Sequence, residues 1–266
     1  MNNILIKVEN LVKTFGGLVA LNDCSLEIKD KAITGIIGPN GSGKTTLFNV
    51  ITGNLKPDTG KVFYNGVEIT NEESHDLFHL GVLRTFQIAH EFSNMTVIEN
   101  LMVVPGNQKG EKLLYSLMNS QKIKKEDELI KDKAMEVLKF LKIEHLKNER
   151  AGNLSGGQKK LLELARTMMV DAKIVFLDEV GAGVNKTLLR DISDSILKLN
   201  QDKGYTFCMI EHDFNFISEL CDPVIVLAEG SVLFKGSAEE VKSNEQVIES
   251  YLGTGLKNYC FFLLQI

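Results

Sequence analysis

The run Gly38-Pro39-Asn40-Gly41-Ser42-Gly43-Lys44-Thr45-Thr46 carries the residue types that bind phosphate groups. It matches G-x-x-x-x-G-K-[ST] and lies between an apolar run (Ile33, Ile36, Ile37) and a helical pattern (Leu47, Phe48, Val50, Ile51), the setting such a loop requires. Glycines let backbone N–H groups turn inward around an anion, because they lack a Cβ and tolerate positive φ. A helix starting near Lys44 adds the positive end of its dipole. Lys44 is then expected to reach β- and γ-phosphate oxygens, and the Thr45 hydroxyl to face a Mg²⁺ ion. The stretch predicts a nucleoside triphosphate site.

Other residues could complete such a site. Ile174-Val175-Phe176-Leu177 is a short apolar strand ending in Asp178-Glu179. Ligands of open α/β sheets sit at the carboxyl ends of strands, so Asp178 could hold Mg²⁺ with Thr45. Glu179 could polarise a water attacking the γ-phosphate; the plainer alternative is a helix N-cap with a dipole-favoured acid. His212 closes the next apolar strand, and parallel pairing would bring it to the same edge. Gln87, after Arg84-Thr85-Phe86, sits at a joint where contact with Mg²⁺ or water would sense nucleotide. Leu154-Ser155-Gly156-Gly157-Gln158 precedes a helical pattern. Ser155 with Gln158 reads as a capping box, and the same glycine-flanked helix start is also an anion site. Since the chain already has a phosphate loop, this second site makes sense if it serves another subunit's nucleotide.

The elements that must position these residues follow an α/β order. From Ile4 to Ile28 short alternating patterns with Gly16-Gly17 as a turn predict an antiparallel β layer, with Phe15 at its tip. Phe15 fits either adenine stacking or ordinary β packing. Pro57-Asp58-Thr59-Gly60 is a turn, and Lys61 to Ile69 reads as a hairpin with Asn65-Gly66 at its tip. From about Ile88 to Glu149 strands vanish. Lys124 to Ile143 places Ile130, Ala134, Val137, Leu138 and Leu141 on one helix face, and the charge run from Lys122 to Asp127 is a solvated surface. After Glu179 come a helix bearing Leu188 to Leu199, a strand from Thr206 to Ile210, another from Val224 to Ala228, a turn at Glu229-Gly230-Ser231, and two short helical patterns to about Leu252.

The 266 residues suit one large α/β domain or a core with an inserted subdomain. A formal net charge of -5 and the lack of a Lys/Arg cluster argue against a nucleic-acid partner. Cys24, Cys208, Cys221 and Cys260 are scattered, as reduced thiols of a cytosolic protein would be. No apolar stretch approaches the ~18 residues of a membrane span.

Phosphate loop, Gln87, Leu154 to Gln158, Ile174 to Glu179 and His212, in this order over about 175 residues, resemble the Walker A, Q-loop, signature, Walker B and switch histidine of the ATP-binding cassette (ABC) family. The resemblance implies a P-loop NTPase core of mainly parallel sheet, an N-terminal antiparallel β layer and an inserted helical subdomain. In this chain that is an ATPase domain over 4–255, with the core about 4–87 and 169–255 and the helical subdomain about 88–168. It also implies ATP and Mg²⁺, with Lys44, Glu179 and His212 catalytic, Thr45, Gln87 and Asp178 at the metal, and Phe15 stacked on adenine. Two cassettes, identical or homologous, would dimerise head to tail, with Ser155, Gly157 and Gln158 acting on the partner's nucleotide. Phe15 to Leu21, Gly81 to Gln87, Met95 to Leu101, Ala182 to Asn185 and Ser250 to Gly253 are similar to the ATPase subunits of branched-chain amino acid importers. That branch implies separate membrane permeases, a solute-binding protein, and a peripheral place on the cytoplasmic face of the cell membrane. A soluble, non-transport ABC ATPase is the alternative, and paired cassettes or long coiled-coil insertions, its usual marks, are missing. Val180 and Lys186 stand where the branch usually has proline, and the apolar tail 256–266 lies outside its pattern.

Overall fold

The computed structural model describes residues 3–85, 91–106, 108 and 120–252. In chain order the elements are β1 (Ile4–Phe15), β2 (Leu18–Lys29), β3 (Ile33–Ile37), α1 (Lys44–Ile51), β4 (Thr59–Tyr64), β5 (Val67–Glu68), α2 (Ser74–His79), β6 (Val82–Arg84) and α3 (Val97–Met102). Then come α4 (Ser120–Phe140), α5 (Gly156–Met168), β7 (Ile174–Asp178), α6 (Lys186–Lys203), β8 (Thr206–Ile210), α7 (Phe214–Leu220), β9 (Val224–Ala228), β10 (Ser231–Gly236), α8 (Ala238–Ser243) and α9 (Glu245–Leu252). The chain divides into two compact units: Met1–Arg84, Lys173–Ala182 and Ile196–Ile266 form one, Thr85–Ala172 and Gly183–Ser195 the other.

The first unit holds two sheets, ordered among the described residues β2-β1-β4-β5 and β10-β9-β3-β8-β7-β6. Every position of β3, β7 and β8 is buried, which is why these strands read as unbroken apolar runs and pair in parallel. Their register sets the site. Ile36 pairs with Ile210, and Ile210 with Asp178, so the three strands end level. The first sheet is antiparallel, with bulges between β1 and β2. One buried cluster joins both sheets to α1 through Ile6, Val8, Leu26, Ile28, Ile36, Leu47, Phe48, Ile51 and Phe176. Phe48 and Phe176 meet edge to face at 5.0 Å.

In the second unit Ala134, Val137, Leu138 and Leu141 are buried, so the face predicted for this helix is its packing face. Thr96 and Glu99 form a capping box that starts α3, satisfying N–H groups the helix itself leaves unpaired.

The fold class matches the sequence reading, and some elements differ from it. Strand β6 and the antiparallel edge strand β10 were not expected: β6 is three residues long, too short for a pattern, and β10 has no buried position and an apolar run of only Val232-Leu233-Phe234, so no alternation marks it. Helix α4 starts at Ser120 rather than Lys124, since the exposed Gln121 and Lys122 add no apolar periodicity, and it ends at Phe140 before the 3₁₀ turn Glu144–Leu146. The hairpin tip follows its Asn-Gly signal, with Asn65 and Gly66 both at positive φ. Gln87 and the apolar tail lie outside the described residues.

The turn after α1 reaches back to the tip of the β layer. Asp58 Oδ2 accepts from the Thr14 N–H and hydroxyl, each at 2.7 Å, and Oδ1 from Lys13 Nζ at 2.8 Å. Lys13 first, then Thr14, hold the Asp58 carboxyl down from its ordinary 3.8 to about 2. A carboxyl with a depressed folded-state pKa stabilises the fold above its ordinary value and loses that contribution as pH falls through 3.8 toward about 2. Asp58→Asn should therefore melt below the parent at neutral pH, with the gap closing as the melts are repeated down to about pH 3. A gap independent of pH would contradict the linkage.

Candidate nucleotide site

Strand β3 ends at Ile37, and the loop Gly38–Gly43 carries the chain into α1. Its glycines are required by neighbours as well as by backbone angle. A Cβ on Gly38 would lie 2.1 Å from the Leu227 carbonyl oxygen, and one on Gly43, at φ 98°, 2.4 Å from that of Ala20. Lys44 is buried inside the loop, where its ammonium donates to the Gly38 carbonyl at 2.8 Å, the Pro39 carbonyl at 3.0 Å and Ser42 Oγ at 3.4 Å. Burial pulls its pKa down, opposed by the charges of Glu179 and Asp178. Carbonyl and hydroxyl acceptors around a buried ammonium are partners that phosphate oxygens can replace with a stronger, charge-assisted bond. Asn40, Gly41 and Thr45 are exposed around the loop, with Thr46 half-buried.

At the level end of β7, the buried Asp178 accepts from Arg84 Nη2 at 2.8 Å. The same guanidinium donates to Asn49 Oδ1 on α1 and sits 5.9 Å from the Phe48 ring centroid. Sequence reading gave Arg84 no role. Its partner stands 94 residues away, and no local pattern announces such a pair. Thr45 and Asp178 offer hard oxygen donors, and no group of three His, Cys, Asp or Glu that would make a protein-built metal cage occurs among the described residues. That donor set fits Mg²⁺, which keeps several waters and draws further ligands from substrate phosphates.

Glu179 follows with φ 50°, a left-handed conformation that costs a non-glycine residue about 1–3 kcal/mol and persists only when its surroundings enforce it. Its N–H donates to the Ile210 carbonyl at 3.0 Å, and its Oε1 lies 2.8 Å from His212 Nε2. It caps no helix here: α6 starts at Lys186, with Asn185 Oδ1 accepting from the Leu188 N–H at 2.9 Å. A proline at 180 would push Glu179 toward extended φ; Val180 permits φ 50° and is itself buried. Lys186 takes the first helical position, one that proline favours but does not monopolise.

Phe15 is 48% exposed at the hairpin tip beside the exposed Leu18 and Val19, which removes the β-core alternative. Lys13 Nζ lies 5.7 Å from its ring centroid. In the second unit Ser155 caps α5: its N–H donates to Gln158 Oε1 at 2.9 Å, and Gln158 N–H donates to Ser155 Oγ at 3.4 Å. Ser155 and Gly156 are exposed, whereas Gly157 is buried, and a Cβ there would fall 2.1 Å from Leu188 Cδ2. The capping box is thus present, and it leaves the helix start open to solvent.

The strand ends of the first unit therefore gather a phosphate loop, a buried cation, Asp178 and a Glu–His pair, the parts of a nucleotide-hydrolysing site. Comparison with known proteins shows the family. Residues 21–182 match the family described as ABC transporter, and residues 231–257 match the one described as branched-chain amino acid ATP-binding cassette transporter. Among curated relatives, the probable branched-chain amino acid transport ATP-binding protein LivG of Archaeoglobus fulgidus is 43% identical over 249 residues, covering 94% of this chain and 95% of that protein. The high-affinity LivG of Escherichia coli is 34% identical over 253 residues, covering 95% and 99%. Among solved structures, a nucleotide-free ATP-binding cassette from an ABC transporter superposes with TM-score 0.81 at 41% identity, covering 94% of this chain and 99% of that one. A cassette in its ADP conformation gives TM-score 0.80 at 40% identity with the same coverage.

Breaking the buried Arg84–Asp178 pair from one side leaves a buried carboxylate without its guanidinium. Arg84→Met should lower stability by about 3–5 kcal/mol in urea unfolding, and adding Asp178→Asn should recover most of it. Unchanged stability in Arg84→Met would show that the pair does not hold this strand end.

Proposed function

Because the chain belongs to the ABC transporter family, we propose that it is the ATP-binding and ATP-hydrolysing subunit of an importer, driving uptake of branched-chain or other hydrophobic amino acids through separate permease subunits. The solute class rests on one observation above others, the match of residues 231–257 to the branched-chain amino acid cassette. No helix among the described residues is long and apolar enough to cross a membrane, which suits a subunit that docks on permeases at the cytoplasmic face. A solute-binding protein would deliver the amino acid from the other side.

The residues divide the work by what each can reach. Backbone N–H groups of Gly38–Gly43 and the dipole of α1 hold the phosphates, and the Lys44 ammonium transfers from loop carbonyls to β- and γ-phosphate oxygens. Thr45 and Asp178 would hold Mg²⁺, with Gln87 completing the contact as the family resemblance implies; the ion neutralises charge on the phosphate oxygens. Arg84 holds the Asp178 carboxylate in place. Phe15, half-exposed at a tip pinned by Asp58, takes the adenine ring. Glu179 accepts a hydrogen bond from the attacking water and draws its proton away as the water oxygen bonds to the γ-phosphorus, while the bond from that phosphorus to the β–γ bridging oxygen breaks and ADP leaves with the bridging oxygen. His212, 2.8 Å from that carboxylate, orients it and lies at the edge where the γ-phosphate would sit. The open α5 start at Ser155 serves the nucleotide of a second cassette, identical or homologous, in a head-to-tail dimer.

Glu179→Gln tests this reading. The variant keeps Lys44, Thr45 and Asp178, so MgATP binding should survive while hydrolysis slows about 10²- to 10⁴-fold. Losing a negative charge near the γ-phosphate also favours closure of two cassettes, so an ATP-bound dimer should accumulate in size-exclusion chromatography with light scattering. Normal turnover, alone and with a second cassette present, would sink the assignment.

A further inference from the structure

One buried acid at the strand ends has no part in the mechanism above. Glu211 lies between β8 and His212, 4% exposed, and its Oε1 accepts from the Gly181 N–H at 2.8 Å. We propose that Glu211 is a positioning residue for hydrolysis, holding the bend that follows Glu179 so that the Glu179 carboxylate stays on His212 and on the path of the attacking water. This rests on the hydrolytic reading of the same site.

Three hydrogen bonds define that bend: Glu179 N–H to the Ile210 carbonyl at 3.0 Å, Gly181 N–H to Glu211 at 2.8 Å, and Ala182 N–H to the Glu179 carbonyl at 3.3 Å. Only the second comes from a side chain, so it is the one a substitution can remove. Glu179 sits at φ 50°, a conformation that relaxes unless neighbours enforce it. Burial raises the Glu211 pKa, opposed by N–H bonds from Gly181 and from His212 itself. The Glu211 carboxyl thus ties the backbone after Glu179 to the residue that precedes His212, next to both ends of the Glu179–His212 contact. Keeping an acid in so dry a place is costly unless its hydrogen bonds offset the desolvation. If the tie is cut, the Gly181 N–H loses its acceptor and Glu179 is free to leave its rotamer. Misplacing a reacting group by about 1 Å costs up to about 10²-fold in rate.

The test compares Glu211→Gln, which keeps an oxygen acceptor, with Glu211→Met, which fills similar space without one. MgATP affinity, steady-state hydrolysis and amide exchange at Gly181 are measured on the full chain. In Glu211→Met, kcat should fall about 10- to 100-fold with MgATP affinity within about twofold of the parent, and the Gly181 amide should exchange faster. Glu211→Gln should restore turnover to within a few-fold and keep the amide protected. In a Glu179→Gln background, Glu211→Met should cost nothing further, because it acts through Glu179. Should Glu211→Met not fold, Glu211→Ala takes its place in the same measurements. A parent without hydrolysis overturns the reading of the site as a whole. A hydrolysing parent whose Met or Ala variant matches it in turnover, or shows a further full loss on top of Glu179→Gln, overturns the role of Glu211 alone.

Discussion

The parallel register of three buried strands is the constraint on which the site depends. Ile36, Ile210 and Asp178 stand level, so the residues that follow each must leave the sheet at one edge. From β3 come Ile37 and the phosphate loop, from β8 Glu211 and His212, from β7 Glu179. Side chains alternate along a strand, so slipping one strand by a residue would turn its apolar set over and carry its chemical residue out of reach. Burial at every position of these strands makes that slip costly, and the fold thereby keeps the three strand ends level.

The same edge concentrates charge in a poorly solvated place, and each charge is given partners. Lys44 lies among loop oxygens, Asp178 against Arg84, Glu211 against the Gly181 and His212 amides, and Glu179 against His212. Low local dielectric strengthens these contacts and makes any unpaired member expensive. A polyphosphate entering such an edge would exchange one set of paired charges for another.

Residues whose chemistry demands one type at one spacing were legible in the sequence: the phosphate-loop glycines and lysine, the acid pair closing an apolar strand, the histidine closing the next, the Ser155 capping box. Phe15 was ambiguous until its exposure separated a presented ring from a packed one. Long-range pairs were not legible. Arg84 stood only as a neighbour of Gln87, Asp58 only as a turn residue, and Glu211 only as the acid before a histidine, because their partners are set by tertiary approach and not by local pattern. Strand β10 escaped for another reason: a half-exposed edge strand needs neither apolar alternation nor an apolar run, and pairing with β9 alone makes it a strand. Glu179 at φ 50° is one place where local preference and structure conflict, and it stands beside His212.

Uptake itself tests the central claim most directly. Proteoliposomes would carry the two permeases with this chain and, where the working dimer is mixed, the second cassette, with leucine and the binding protein on the opposite side from the cassettes. The account predicts leucine accumulation when ATP and Mg²⁺ are supplied on the cassette side, and none when ADP replaces ATP. Hydrolysis that runs at the same rate with and without permeases, while no leucine accumulates, would contradict it.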